Sequence, residues 1–398
     1  MTDIDDRLRT GITALAEREQ PTVAPDDVAA WLRARPAAGP PRRRSSLLVA
    51  AAVLVVALVA VLVVAHRGGG SGTVVTGPAD TLDQVPFPVG LHDWGVAPIG
   101  PSFNPTPIWD GREVVVLGGD MTNTTDARRV AALDPTAGVW RQLPSLPFAP
   151  GPIEEQFVTG TRCHGSVVAW SQRGDLAALA EGGSAWQVLP TAPDARFNAL
   201  TWPAYCHGDE LLFPVSGLRY SLTARQWQPM ATRPGSSIVP SRVTWTGHVV
   251  IAEVDGTASD PPRVYRYDPT SDTWTRVSSP PLGPDVQAFV WTGSRVVAID
   301  WPARALAAYD PSTDHWSVLP DPPSSLFGPN SSLFQLVAVG GRALLVTGKG
   351  VASLGPDDRW TLEPETISPG WPGLAGDALL SYGAGAHSPG LQSYVLPA

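Results

Sequence analysis

Two copies of one short motif hold the only cysteines of the 398-residue chain: Cys163–His164–Gly165 and Cys206–His207–Gly208. Three chemistries are open to such a set. A disulfide forms where the compartment is oxidising and the two Cα atoms come within about 7 Å. Two free, partly buried thiols are the second outcome. A tetrahedral zinc shell of Cys163, His164, Cys206 and His207 is the third. Adjacent Cys and His side chains on a strand point to opposite faces, which works against convergence on one ion. No nucleophile elbow, P-loop or HExxH stretch occurs. Scattered Asp and Glu give no acid–base couple that can be read without coordinates. No catalytic residue, metal ligand set or cofactor is therefore assigned.

Strands must position these motifs. Pro (42) and Gly (39) make up about a fifth of the chain, enough to break helices and exclude a helical bundle. An apolar content of 43% with 16% charge supports a buried core. Tryptophan, with 15 residues, outnumbers Tyr (7) and Phe (9), and much of it is periodic. The units VWRQLPSLP, AWQVLPTAP, QWQPMATRP, TWTRVSSPP, HWSVLPDPP and RWTLEPETI contain Trp140, Trp186, Trp227, Trp274, Trp316 and Trp360. The intervals are 46, 41, 47, 42 and 44 residues, long enough for four short strands with their turns. Each Trp follows an apolar run, a turn containing Gly, a second run, a variable loop and a third run ending near Asp-Pro. Alternation such as Val264, Tyr265, Arg266 and Tyr267 suits strands.

The pair Gly118–Gly119, the turns Tyr267–Asp268–Pro269 and Tyr309–Asp310–Pro311, and the Trp after each resemble kelch repeats. The resemblance covers about residues 90–398 and implies four-stranded blades of a β-propeller. It is strongest around Trp140, Trp274 and Trp316. The units of Trp186, Trp227 and Trp360 lack the glycine pair and the Tyr-Asp-Pro turn. The last unit ends after a third strand, yet LHDWGVAPIGP resembles TDHWSVLPDPP, and Trp94 lies 46 residues before Trp140. The expectation is an all-β, seven-bladed, kelch-like propeller whose N-terminal strand completes the last blade. A six-bladed ring with a separate N-terminal strand is the alternative. The repeated Trp residues should pack between blades or against turns, with carbohydrate stacking as the rival role. Kelch-like propellers commonly serve as binding or scaffold modules, so a protein or carbohydrate ligand is implied. Some resemble galactose oxidase, whose copper site uses Tyr and His with a Tyr–Cys crosslink. No such constellation can be matched here, and sialidase-type Asp boxes are absent; an extracytoplasmic enzyme of galactose-oxidase-like or hydrolytic type, or a sensor coupled to the cytoplasmic tail, is the alternative to a binding module.

With strands named a to d outward, the a–b and c–d turns share one face, and the b–c loops and d–a crossovers share the other. The a–b turns are tight: Asp110–Gly111, His164–Gly165, Thr246–Gly247 and Thr292–Gly293. The long segments are the b–c loops 119–129 and 256–262 and the d–a crossovers 148–155 and 320–332. Variable loops on a rigid scaffold carry binding. Asp120, Asn123, Arg128, Glu154, Glu155, Asp321 and Asn330 are therefore the candidate binding residues, each to be weighed against a plain solvated loop residue.

Leu47–Ala65 is 19 residues without a charge, roughly 28 Å as a helix and close to a bilayer core. Arg42, Arg43 and Arg44 precede it, and only His66 and Arg67 follow closely. The positive-inside rule puts the N-terminus in the cytoplasm. A cleaved signal peptide is the competing reading. The organisation expected is a cytoplasmic tail (1–44), a transmembrane helix (45–66), a flexible tether (67–88) and the propeller (89–398). Ile4, Leu8, Ile12 and Leu15 form one apolar face, and Asp26 caps a second short helix through Val28, Trp31 and Leu32. A cytoplasmic protein partner or the bilayer surface would order them; a solvated tail with transient helices is the alternative reading. The tail carries 8 Arg against 7 acids; the remainder carries 20 basic and 30 acidic residues, and its only lysine is Lys349. With no basic stripe and a net charge of −9, nucleic-acid binding is not expected.

Overall fold

Apolar runs punctuated by Gly, Pro and Asx turns fold here into antiparallel strands of three to six residues. The computed structural model describes residues 86–396 except 100–105, 119–127, 149–157, 194–202, 235–239, 255–261, 284, 302, 328–333, 365–366, 368–370 and 384–389. The first strand is β1 (Gly90–Asp93). Blade 1 holds β2 (Thr106–Trp109), β3 (Val114–Leu117), β4 (Val130–Asp134) and β5 (Val139–Leu143). Blade 2 holds β6 (Val158–Cys163), β7 (Ser166–Ser171), β8 (Leu176–Ala180) and β9 (Gln187–Leu189). Blade 3 holds β10 (Tyr205–His207), β11 (Glu210–Phe213), β12 (Leu218–Ser221) and β13 (Gln226–Pro229). Blade 4 holds β14 (Arg242–Trp245), β15 (Val250–Val254), β16 (Arg263–Asp268) and β17 (Thr273–Val277). Blade 5 holds β18 (Val286–Trp291), β19 (Val296–Asp300), β20 (Ala305–Asp310) and β21 (His315–Leu319). Blade 6 holds β22 (Phe334–Val339), β23 (Arg342–Thr347), β24 (Gly350–Leu354) and β25 (Trp360–Leu362). Blade 7 holds β26 (Trp371–Ala375), β27 (Ala378–Gly383) and β28 (Gly390–Val395), and β1 is its outer strand.

The ring is thus seven-bladed and all-β, and the N-terminal strand completes the last blade. Leu91 pairs with Tyr394 and His92 with Ser393 across the joint. This removes the free edge that β28 would otherwise present. Phe87, which falls in the expected tether, is buried at the same joint against Trp94 and Trp109. The inner strand of blade 7 also lies close to that of blade 1. A Cβ added at Gly373 in β26 would collide with the Pro107 carbonyl of β2, so only glycine permits this approach.

The second strands read as unbroken apolar runs because a neighbouring blade covers each face. In β3, Val114 and Val116 join the cluster against blade 7, whereas Val115 and Leu117 join the cluster against blade 2. The outer strands alternate instead, as in β21, where Trp316 and Leu319 are buried and His315, Ser317 and Val318 are exposed. Seven hydrophobic clusters result, one per junction.

The periodic tryptophans bind these junctions. Trp140 Nε1 donates to the Trp94 carbonyl (2.7 Å), Trp186 to Pro144 (2.7 Å) and Trp227 to Pro190 (2.8 Å). Trp316 donates to Ser278 (2.9 Å) and Trp360 to Pro320 (3.0 Å). In every case the acceptor lies just beyond the outer strand of the preceding blade. Asp272 serves the blade 3–4 junction by accepting the Ala231 amide (2.9 Å). Glu363 serves the blade 6–7 junction by accepting the Tyr394 hydroxyl (2.8 Å). Every junction is therefore both packed and hydrogen-bonded across.

Tyr205 is an exception to this economy. It is fully buried against Trp245, with ring centroids 6.1 Å apart, and its hydroxyl has no partner among the described residues. Burial pushes its pKa well above the ordinary value. A buried hydroxyl without a partner costs about 1–3 kcal/mol. Tyr205→Phe should keep the ring packing and leave stability unchanged or raise it by up to about 1 kcal/mol. A loss of more than that in denaturant melts would show that the hydroxyl is bonded.

Among the described residues no helix is long and apolar enough to cross a membrane. The apolar run Leu47–Ala65 and the tail before it lie outside those residues.

Candidate functional site

The a–b and c–d turns are short and internally closed. Asp110 Oδ1 accepts the amides of Arg112 (2.8 Å) and Glu113 (2.7 Å). Thr246 accepts the Val249 amide (3.1 Å), and Thr292 donates to the Arg295 carbonyl (3.0 Å). At the c–d turns, Asp134, Asp268 and Asp310 each accept the amide two residues on (2.8–2.9 Å). These are Asx turns, made where Asp precedes Pro. Three arginines on this side have carboxylate neighbours. Arg141 pairs with Glu113, Arg295 with Asp358 at 2.6 Å, and Arg162 lies 3.9 Å from Glu181. Asp110 is raised above the ordinary carboxylate value by burial first, with the Glu113 and Glu181 charges adding to it against its two amide bonds.

The turns before Trp274 and Trp316 carry a further device. Asp272 and Asp314 have φ of 49° and 51°, a left-handed conformation that Asp tolerates better than most side chains. Each accepts the hydroxyl of the Tyr five residues earlier, Tyr267 at 2.7 Å and Tyr309 at 3.0 Å. Each also accepts an amide from the preceding blade, Ala231 and Ser278 respectively (2.9 Å). For Asp314 the Ser278 amide is the main cause of a pKa below 3.8. For Asp272 burial acts upward, but the Ala231 amide, the Tyr267 hydroxyl and Arg219 outweigh it and leave the pKa below 3.8. Groups with a lowered native pKa stabilise the fold above the unfolded value near 4 and lose that contribution as pH falls through the native value. Wild-type stability should therefore drop below about pH 4, and the drop should shrink in Asp272→Asn/Asp314→Asn. Parallel acid titrations followed by circular dichroism would check this, and equal acid sensitivity would contradict it.

The two cysteines form a disulfide between β6 and β10, with Cα atoms 5.2 Å apart. They do not occupy equivalent positions in their blades, as the repeated motif implied. Cys163 pairs with Ser166 at the last rung of its hairpin, and it is His207 that occupies that rung in blade 3, opposite Glu210. Cys206 lies one residue deeper, opposite Leu211, in register with Trp109 and Trp245. Equivalent positions in a rotational repeat point the same way round the ring. The offset of one turns the two side chains towards each other, and both enter the cluster between blades 2 and 3. With both sulfurs in the bridge, neither is a thiolate ligand for a metal.

The b–c and d–a face differs. Of the candidate residues, Asp120, Asn123, Glu154, Glu155 and Asn330 lie outside the described residues. Arg128 is half-buried just before β4, and its carbonyl accepts the Leu146 amide (2.8 Å). Asp321 is exposed at the start of the blade 5–6 crossover. That crossover also holds a group that the repeat alone does not reveal. Trp301, on the b–c loop of blade 5, stacks on Phe334 at 3.9 Å with an interplanar angle of 16°. Phe327 packs against the same indole at 5.3 Å, and the Arg304 guanidinium lies 4.2 Å over the Phe327 ring. The readable signal was a Trp outside every period.

Buried anchors hold this group. Asp300, 3% exposed, accepts the Ala303 amide (3.2 Å), and the Arg304 amide returns to the Trp301 carbonyl (3.1 Å). Ser324–Leu326 forms a single 3-10 turn with Leu326 buried beneath it. Thr347, fully buried, donates to the Leu326 carbonyl (3.0 Å) and accepts the Lys349 amide (3.1 Å). The hairpin tip carrying Lys349 is thereby tied to the crossover. Nearer blade 2, Pro147, Phe148, Asp175, Leu176 and Leu189 line a cleft of ≈ 50 Å³, far below a small-molecule site. Among the described residues no cluster of three or more His, Cys, Asp or Glu could hold a metal ion.

No protein-family model matches the chain, and no curated protein matches it either. Among solved structures it is similar to PorZ, an essential bacterial surface component of the type-IX secretion system of Porphyromonas gingivalis. That likeness has 11% identity and a TM-score of 0.46, covering 77% of this chain and 39% of that one. It is also similar to YCF48 bound to D1 peptide, with 13% identity and a TM-score of 0.52, covering 79% of this chain and 97% of that one. What the chain shares with YCF48 at this level is the β-propeller fold.

Proposed function

We propose that the chain is a membrane-anchored, extracytoplasmic propeller of kelch-like type that binds a protein or peptide on its b–c and d–a face. The observation that carries this is the contrast between faces. One side closes its turns with Asp and Thr side chains, whereas the other carries the long insertions and the Trp301 group. A solved propeller of the same fold is described with a bound peptide, which fits a peptide ligand here. The location rests on the uncharged run Leu47–Ala65 behind three arginines, and a disulfide in the propeller fits an oxidising compartment.

Two experiments test this reading. Because Lys349 is the only lysine, a membrane-impermeant amine reagent on intact cells should modify Lys349. Protection of Lys349 until lysis would overturn the topology. A photocrosslinking residue at 123 or 330 should give adducts in cells, whereas one at 247, on a tight a–b turn, should not. Equal adducts from both faces would overturn the binding assignment.

A further inference from the structure

The geometry points to the blade 5–6 sector as a docking site for an acidic peptide segment with an apolar side chain. This rests on the b–c and d–a face being the binding face, and it names the ligand. Three aromatic rings, Trp301, Phe327 and Phe334, pack together, and Trp301 and Phe327 remain half-exposed. Two exposed cations belong to the same sector. Arg304 lies over Phe327, and Lys349 caps the hairpin tied through Thr347 to Leu326, the residue before Phe327. Among the described residues neither cation has a carboxylate within ion-pair distance, although other arginines do.

The local sequence offers little to neutralise them. Residues 322–334 and 345–350 contain no acid, and Asp321 is the one carboxylate on the crossover. Asp300 is buried beneath the loop with an oxygen given to the Ala303 amide. Two cations without a carboxylate within ion-pair distance, beside an aromatic platform, favour a ligand of opposite charge. The platform takes an aliphatic, proline or aromatic side chain, and the cations take flanking carboxylates. The anchors Asp300, Leu326 and Thr347 keep the platform in place before the ligand arrives, which limits the ordering cost of binding.

The test uses the full-length chain in detergent and a phage-displayed random dodecapeptide library. Enrichment should yield sequences rich in Asp and Glu around an apolar residue, with affinity falling as salt rises. For a selected peptide, binding should weaken at least tenfold in the triple variant Trp301→Ala/Arg304→Asn/Lys349→Gln, measured at a temperature where circular dichroism shows it folded. Asn at 304 is chosen because φ is 55° there. Lys349→Arg should retain binding. Enrichment of neutral or basic sequences, no enrichment, or full binding by the triple variant each overturns the proposal. Binding of a neutral oligosaccharide instead, lost in Trp301→Ala, also overturns it while leaving the binding face intact. Acidic peptides that crosslink to residue 247 would overturn both.

Discussion

Replacing Trp316 with Ala should cost about 3–5 kcal/mol, a large part of the 5–15 kcal/mol that holds a typical domain together. Trp316 is only 7% exposed. It packs against Tyr309 at 5.1 Å and Phe289 at 5.9 Å, and its indole N–H reaches the Ser278 carbonyl of blade 4. Truncation opens a cavity between two blades and leaves that carbonyl without its donor. Because each blade is covered by its neighbours, the loss should not stay in blade 5. One cooperative transition at a lower midpoint is expected in both calorimetry and near-ultraviolet circular dichroism. Trp316→Phe should recover most of the packing and cost only about 1 kcal/mol for the lost hydrogen bond. An unchanged midpoint for the alanine variant would remove the packing role.

Cys163→Ser/Cys206→Ser should be the second largest effect. The bridge spans 43 residues, and a crosslink over that length removes about 4 kcal/mol of unfolded-chain entropy. The expected fall in melting midpoint is roughly 5–10 °C. A strong reductant should lower the wild-type midpoint by a similar amount and leave the double variant unmoved. Reductant-insensitive melting of both would show that the bridge contributes nothing. The acidic-peptide binding proposed at the Trp301 group, three blades away, should persist in the double variant at temperatures where it remains folded.

The spacing of Trp140 through Trp360, the phase of Trp94 and the missing final strand specify seven blades and their closure. Those features are legible because a blade is a local unit. Its strands follow one another directly, and its turns demand Gly, Asp-Pro or Thr at fixed places. The difference between the two faces was legible for a related reason, since tight turns and long insertions differ in length alone. Asp321 was drawn from one such insertion, and it lies on the crossover that carries Phe327.

Contacts across a junction obey different rules. The repeated Cys-His-Gly motif suggests two matching sites, yet the hairpins of blades 2 and 3 close one rung apart, and that parity alone brings Cys163 and Cys206 together. Trp301, Arg304, Phe327, Phe334 and Lys349 likewise come from different elements of two blades, and each alone reads as a residue outside the repeat. The sequence by itself determined the architecture, the closure and the perimeter of tryptophans, because periodic side chains encode local pairing. Only the tertiary structure decided which side chains meet between blades, because strand register and the direction of each side chain round the ring set those distances.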